Sequence, residues 1–231
     1  MNPISYARHQ FPPTVIQYAV WLYLRFNLSL RDVEDVLAER GINVSYETIR
    51  RWVARFGTEY ARRLRRVRRQ ADERWHLDEM FVSIGGRRMY LWRAVDAEGE
   101  VLEVLVQSKR DKASALKLLR KLLKKQGEIP QSITTDRLRS YQSALRSLGL
   151  GRLQRTGGRS NNRAENSHQP VRRWERSWNG FKVPGLTQRF LSAHATVYNL
   201  FNFQRHLISR RFLRAFRFAA IAQWRTIASV A

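Results

Sequence analysis

Three acidic side chains, Asp78, Asp136 and Glu165, stand out in a chain that runs short of acids toward its C-terminal end. Past Val104 the only carboxylates are Asp111, Glu128, Asp136, Glu165 and Glu175. Asp111 reads as a helix start and Glu128 as a surface turn. Carboxylates gathered by folding suit a hard divalent cation, which takes oxygen ligands and leaves room for water and phosphate. Two such ions support phosphoryl transfer, one at the attacking hydroxyl and one at the leaving oxygen. Glu79 follows Asp78 directly, but strand alternation puts it on the opposite face, so Asp78 is the expected ligand. His76 shares the face of Asp78 and is expected near the site without ligating, since hard magnesium disfavours imidazole. Each acid also has a plain structural reading. Asp78 could sit on a strand edge, Asp136 could cap the next helix, and Glu165 could pair with nearby arginines. The gaps of 58 and 29 residues say little alone. The position of each acid on its element says more.

Those elements are legible from residue 75 onward. Trp75–Ile84 alternates as a strand, and Gly85-Gly86 signals a two-residue hairpin into a second strand, Arg88–Asp96. Val101–Ser108 is a third, β-branched strand. A helix over about Asp111–Gln126 buries Ala115, Leu118, Leu119 and Leu122, and Gly127 and Pro130 close it. Ser132–Thr135 is a short fourth strand that ends at Asp136. A helix over about Leu138–Leu148 follows, then a short fifth strand near Leu153, then a helix opening at Arg163 that carries Glu165. Pro170 should kink that helix. The order predicts an α/β class: a ribonuclease H-like mixed sheet with flanking helices. Asp78 would lie mid-first-strand, Asp136 at the end of the fourth strand, and Glu165 at the start of the late helix. Phe190–Leu207, with His194 and His206, reads as a core helix and not a cofactor site.

Upstream, an all-α helix-turn-helix domain is expected. Pro12 and Pro13 start a helix over Thr14–Phe26. Ser29 with Asp32 caps a second helix that Gly41 ends, and Ser45 caps a third built on Ile49, Trp52, Val53 and Phe56. In a helix-turn-helix the later helix reads bases in the major groove. Its free face would present Tyr46, Glu47, Arg50, Arg51 and Ala54, with Arg50 and Arg51 suited to guanine edges or phosphates. Arg62, Arg63, Arg65, Arg66, Arg68 and Arg69 then form a dense run, read as a phosphate-contacting linker. The expected division is 1–58 helix-turn-helix, 59–74 linker, 75–207 catalytic domain and 208–231 a basic helical tail.

Composition fits a polyanion partner. The 231 residues hold 43 Lys and Arg against 19 Asp and Glu, a formal net charge of +24. The excess grows along the chain, with 11 basic residues and one acid, Glu175, after residue 165. A hydrophobic fraction of 43% supports a real core and argues against a disordered basic tail. With no cysteine, disulfides and thiolate metal sites are excluded. The uncharged stretch Gln10–Leu24 is too short to span a membrane, and no signal peptide is expected before it.

Three strings carry a family resemblance: Trp75-His76-Leu77-Asp78-Glu79, Ile133-Thr134-Thr135-Asp136-Arg137-Leu138-Arg139-Ser140-Tyr141, and Asn161-Asn162-Arg163-Ala164-Glu165-Asn166-Ser167-His168-Gln169-Pro170. With the late Gln204-Arg205-His206-Leu207, the chain resembles the DDE-class transposases of bacterial insertion sequences, within the insertion-sequence-six group. The resemblance implies a metal-binding triad of Asp78, Asp136 and Glu165 holding two Mg2+ or Mn2+ ions. It implies strand cleavage at element ends and strand transfer into target DNA, often by a replicative route. It also implies a basic residue two helical turns past the glutamate, here Arg172. The expected partners are transposon ends, target DNA and a second copy of the chain, with no membrane and no small-molecule substrate, in the bacterial cytoplasm on the nucleoid. The 29-residue gap is shorter than in many DDE transposases, and Trp174, Trp178 and Asn179-Gly180 stand where more arginine is expected. Two other readings compete: a catalytically inactive DNA-binding regulator derived from such a transposase, and a ribonuclease H-like nuclease acting on RNA hybrids. The complete acid set argues against the first, and the DNA-reading helices against the second.

Overall fold

The computed structural model describes residues 4–68, 70–157, 161–178, 180–203 and 207–229. Arg69, Asn179 and Gln204–His206 therefore lie outside the described residues. The chain divides into two compact units, residues 1–68 with 193–231, and residues 69–192.

The first unit begins with α1 (Pro13–Arg25), α2 (Leu30–Ala38) and α3 (Tyr46–Trp52). Ser29 and Asp32 form a reciprocal capping box at α2, which satisfies two backbone N–H groups that a helix start leaves open. Gly41 takes a left-handed φ of 74°, where a side chain would be strained, and turns the chain toward α3. Ser45 caps α3 through the Thr48 N–H. Val33, Leu37, Ile49 and Trp52 are buried as the periodicity predicts. Helical structure continues through a π turn, Val53–Gly57, into α4 (Thr58–Arg66).

The expected linker and tail need correction here. Residues 58–66 are helical and packed, and the C-terminal helix α10 (Arg210–Ala228) belongs to the same unit. Trp224, Ile227 and Ala228 are buried, and the Trp224 ring meets Tyr60 edge-on at 5.2 Å. A helix end leaves carbonyls without intrahelical donors. Tyr6 Oη donates to Ala228 O at 2.6 Å, Gln17 Nε2 to the same oxygen at 2.6 Å, and Arg63 Nη1 to Ile227 O at 2.9 Å.

The second unit is a five-stranded sheet: β1 (Arg74–Ile84), β2 (Arg87–Asp96), β3 (Val101–Gln107), β4 (Ser132–Thr135) and β5 (Gln154–Thr156). The strand order is β3-β2-β1-β4-β5. β1 to β3 are antiparallel, while β4 and β5 run parallel to β1 and to each other. This is the ribonuclease H-like arrangement. α5 (Lys112–Gln126) and α6 (Arg139–Ser147) cover one face. There Trp75, Leu77, Trp92, Ala94, Leu118, Leu122, Ile133 and Leu145 form the core.

The expected single late helix is two, α7 (Asn162–Ser167) and α8 (Gln169–Ser177), divided at His168 just before Pro170. α9 (Pro184–Phe201) follows, and its Gln188 closes the exposed edge of β3 by accepting from Val106 N–H at 2.7 Å and donating to Val104 O at 2.9 Å. Trp174 and Trp178 have a structural role: they pack against Phe190 at 5.1 and 4.8 Å between ring centroids. The β1–β2 hairpin uses Gly85 and Gly86 at φ 58° and 74°. Gly85 also donates its N–H to Phe181 O at 2.7 Å.

Candidate active site

Strand register brings the first two acids together. Leu77 pairs with Thr135 in the parallel β1–β4 ladder, so the next residues, Asp78 and Asp136, emerge side by side where β4 stops. Asp136 Oδ1 accepts the Leu138 N–H at 3.0 Å, which fixes the turn into α6 and orients the carboxylate. Its second oxygen, Oδ2, faces Arg110 Nη2 at 3.5 Å. Asp136 thus acts as a turn former, and Leu138 takes the cap position of α6 that sequence had allowed to Asp136.

Glu79 joins them. Ligand oxygens of Asp78, Glu79 and Asp136 all lie within 4.8 Å of one another. Sequence alternation excluded Glu79, and the alternation itself holds, since Glu79 sits on the α5–α6 face with its side chain 1% exposed. The longer arm still reaches the group because β4 ends at Thr135, which leaves β1 unpaired on that side at Glu79, while β2 continues along the other side. Burial pushes the Glu79 carboxyl up to about 7, and the Asp136 charge adds to the rise, while Arg110 and Tyr141 oppose it. Arg110 Nε donates to Glu79 Oε1 at 2.6 Å. Glu79 Oε2 is buried without a hydrogen-bond partner. The Tyr141 hydroxyl is near enough to bias Glu79 but forms no well-aligned bond to it.

Glu165 lies outside that group of three, exposed on α7. Its helix is nonetheless pinned at Asp78. Asn161 Nδ2 donates to Leu77 O at 3.0 Å, and His168 Nε2 meets Asp78 Oδ2 at 3.1 Å. The Glu165 carbonyl accepts the His168 N–H, so the two residues sit one turn apart. Burial lowers the His168 pKa, with Asp78 opposing and Arg93 and Arg172 reinforcing the fall. Arg93 is the cross-strand neighbour of Asp78 and is 1% exposed.

The expected two-turn relation between Glu165 and Arg172 does not hold on one continuous axis, because the helix divides at His168. Arg172 is half-exposed, with Nη1 3.3 Å from Glu175 Oε2. Glu175 also accepts the Ser83 N–H at 2.8 Å, tying α8 to the end of β1.

On the helix-turn-helix, Tyr46, Arg50 and Arg51 are exposed as expected. Arg50 Nε pairs with Glu47 at 2.9 Å, and the Arg31 guanidinium lies over the Tyr46 ring at 5.4 Å. Within the arginine run, Arg62 and Arg66 are exposed, Arg65 and Arg68 half-buried, and Arg62 pairs with Glu59 at 2.7 Å. Arg63 is the exception: it is buried and bonded to the end of α10, so it is not available to phosphate. His194, read as a core residue, is buried with Nδ1 3.0 Å from Leu24 O. Sequence reasoning assigned no role to Glu79, Arg110, Asn161 or His168. Asn161 and His168 lay inside a family-like string, while Arg110 carried no local signal.

The site thus sits on a ribonuclease H-like sheet, with Asp78 within β1 beside Asp136 just past the end of the adjacent parallel β4. The family DDE_Tnp_IS240, a DDE domain, matches residues 72–204, more than half of the chain. Relatives include the transposase for insertion sequence-like element IS431mec of Staphylococcus aureus strain Mu50, 37% identical over 143 residues. Another is the transposase for insertion sequence element IS257 in transposon Tn4003 of Staphylococcus aureus, 36% identical over 143 residues. Each alignment covers 62% of this chain and 63% of the relative, so the matched stretch spans less than two thirds of those proteins. Among solved structures, a chain of the simian T-cell lymphotropic virus intasome in complex with PP2A regulatory subunit B56 gamma aligns at TM-score 0.41 and 16% identity, over 58% of this chain and 51% of that one. The chain belongs to the DDE-class transposases of bacterial insertion sequences, in the insertion-sequence-six group. No described helix is long and apolar enough to cross a membrane.

Proposed function

We propose that this chain is a transposase that binds the inverted-repeat ends of an insertion sequence, cleaves a strand there and joins it to target DNA. The observation that carries the reading is the convergence of Asp78 and Asp136 on adjacent parallel strands, with the helix of Glu165 anchored to the same strand. The donor set suits a hard divalent cation, since it offers carboxylate oxygens and one of them, Glu79 Oε2, is buried with no partner.

Asp78, Asp136 and Glu165 are the residues assigned to hold Mg2+ or Mn2+. When bound, two such ions would supply Lewis acidity at the attacking and leaving oxygens. The chain's own residues prepare the site. The Leu138 N–H orients the Asp136 carboxylate, and Asn161 and His168 hold α7 beside Asp78. Arg50, Arg51 and Tyr46 read the element end. Arg62, Arg65, Arg66, Arg68 and Arg69 add phosphate contacts, and Arg172 holds DNA near the cleavage point. Pairing two ends calls for a homodimer, working on nucleoid DNA.

Asp136→Asn or Glu165→Gln should abolish end cleavage in magnesium while gel-shift binding of an end duplex persists, because an amide does not balance divalent charge. Wild-type cleavage by Glu165→Gln would remove Glu165 from the site. Loss of end binding together with cleavage would show that these acids support the fold.

A further inference from the structure

Three carboxylates within 4.8 Å of one another repel, and Glu79 is nearly sealed from water. A buried carboxylate is tolerated when a counter-charge with good hydrogen bonds accompanies it. Arg110 supplies that charge. It sits between the end of β3 at Gln107 and the start of α5 at Lys112, with its side chain 44% exposed. Its guanidinium touches two of the three acids, but unequally. Nε at 2.6 Å and Nη2 at 2.5 Å both lie against Glu79 Oε1, whereas the approach of Nη2 to Asp136 is 3.5 Å, at the outer limit of a hydrogen bond. One contact is anchored and the other is loose.

A guanidinium has five donors and no acceptor, and it does not lose its proton in a protein. It therefore cannot become a metal ligand, and its charge opposes a second cation in the same group of oxygens. Among the described residues, Arg110 is the one cation in an ion pair with both Glu79 and Asp136. We infer that Arg110 is a resident counter-cation of the Glu79–Asp136 pair, which lets go of Asp136 when a divalent ion enters and so sets the threshold for metal loading. The inference rests on the metal-binding reading of the site given above. It adds a positioning residue that competes with the ion it prepares for. Because Glu79 Oε1 meets both Nε and Nη2, a small turn of the guanidinium about Glu79 takes Nη2 off Asp136 while keeping the charge within reach of the site, and the partial exposure of Arg110 leaves room for that turn.

The competing account is that Arg110 preorganises the carboxylates and helps the ion bind. The two accounts predict opposite signs. Mn2+ binding to the full-length protein can be measured by calorimetry at pH 8, without DNA and without turnover, for wild type, Arg110→Gln and Arg110→Lys. Competition predicts that Arg110→Gln tightens Mn2+ at least fivefold, while Arg110→Lys, which keeps the charge, stays within about twofold of wild type. Unchanged or weaker binding in Arg110→Gln overturns the inference. A wild-type protein that binds no Mn2+ would overturn the functional reading itself, and the Arg110 role with it. Should Arg110→Gln fail to fold, the unaltered chain still decides. The arginine Nη–H resonances that disappear in Arg110→Lys should shift on saturation with Mg2+, and resonances that stay fixed refute release.

Discussion

Arg63→Met separates a structural arginine from those proposed to contact DNA, within a run where sequence treats all six alike. The Arg63 side chain is 7% exposed, its Nη1 donates to Ile227 O at 2.9 Å, and its Nε lies 3.2 Å from Glu59 Oε1. Methionine keeps most of the aliphatic stem and removes the donor. The Ile227 carbonyl, in the last turn of α10, would then be buried without a partner. A charge-assisted bond lost in this way costs about 1.5–3 kcal/mol. At about 2 kcal/mol, opening of the end of α10 becomes about thirtyfold more frequent. Hydrogen exchange over residues 220–228, followed by mass spectrometry, should accelerate by that factor. Arg62→Ala, which removes a solvent-exposed pair with Glu59, should leave that peptide unchanged. Wild-type exchange in Arg63→Met, coupled with weaker DNA binding, would refute the argument and return Arg63 to the phosphate-contacting set.

Two further outcomes test the second unit. Burial pushes the Glu103 carboxyl upward, but Lys125, Lys121 and the Val104 N–H outweigh it, so the folded pKa falls below the usual 4.5. The stability this confers is present above 4.5 and is lost as pH falls through the lowered folded value, so Glu103→Gln should flatten the acid limb of a denaturation profile below pH 4.5; an unaltered limb would count against the pair. Gly85→Ala places a Cβ 2.7 Å from Lys182 O at a φ of 58°, and the strain should cost about 1–2 kcal/mol before the clash is added, whereas a wild-type melting temperature would contradict the hairpin geometry.

The sheet was legible because its chemistry is local. Alternation in Trp75–Ile84, the Gly85-Gly86 turn and the short Ser132–Thr135 run each specify an element without reference to a distant partner, and β1 and β4 then follow with their acids adjacent. Alternation fixes where a side chain leaves the backbone, not where it ends. That is why alternation alone excludes Glu79 although its carboxylate reaches Asp78 and Asp136. Pro170 signalled a kink, but the turn at His168 also cancels the simple helical phase between Glu165 and Arg172. Arg110 and Arg63 were illegible in their roles for a common reason. Each is defined by a partner far away in sequence, Glu79 and Ile227 respectively, and no one-dimensional pattern announces such a meeting.

The first unit is assembled from both sides of the second, with residues 193–231 joining residues 1–68. During synthesis, residues 4–66 leave the ribosome long before the helix that Tyr6, Tyr60 and Arg63 hold. The sheet of residues 69–192 can close on its own contacts in the meantime, since domains fold as units while the chain is made. A nascent chain that has not yet passed residue 209 would therefore hold the carboxylate group of the second unit before α10 has joined the first. Completion of the first unit thus waits for residues 210–228, whereas the second needs only the contiguous run 69–192.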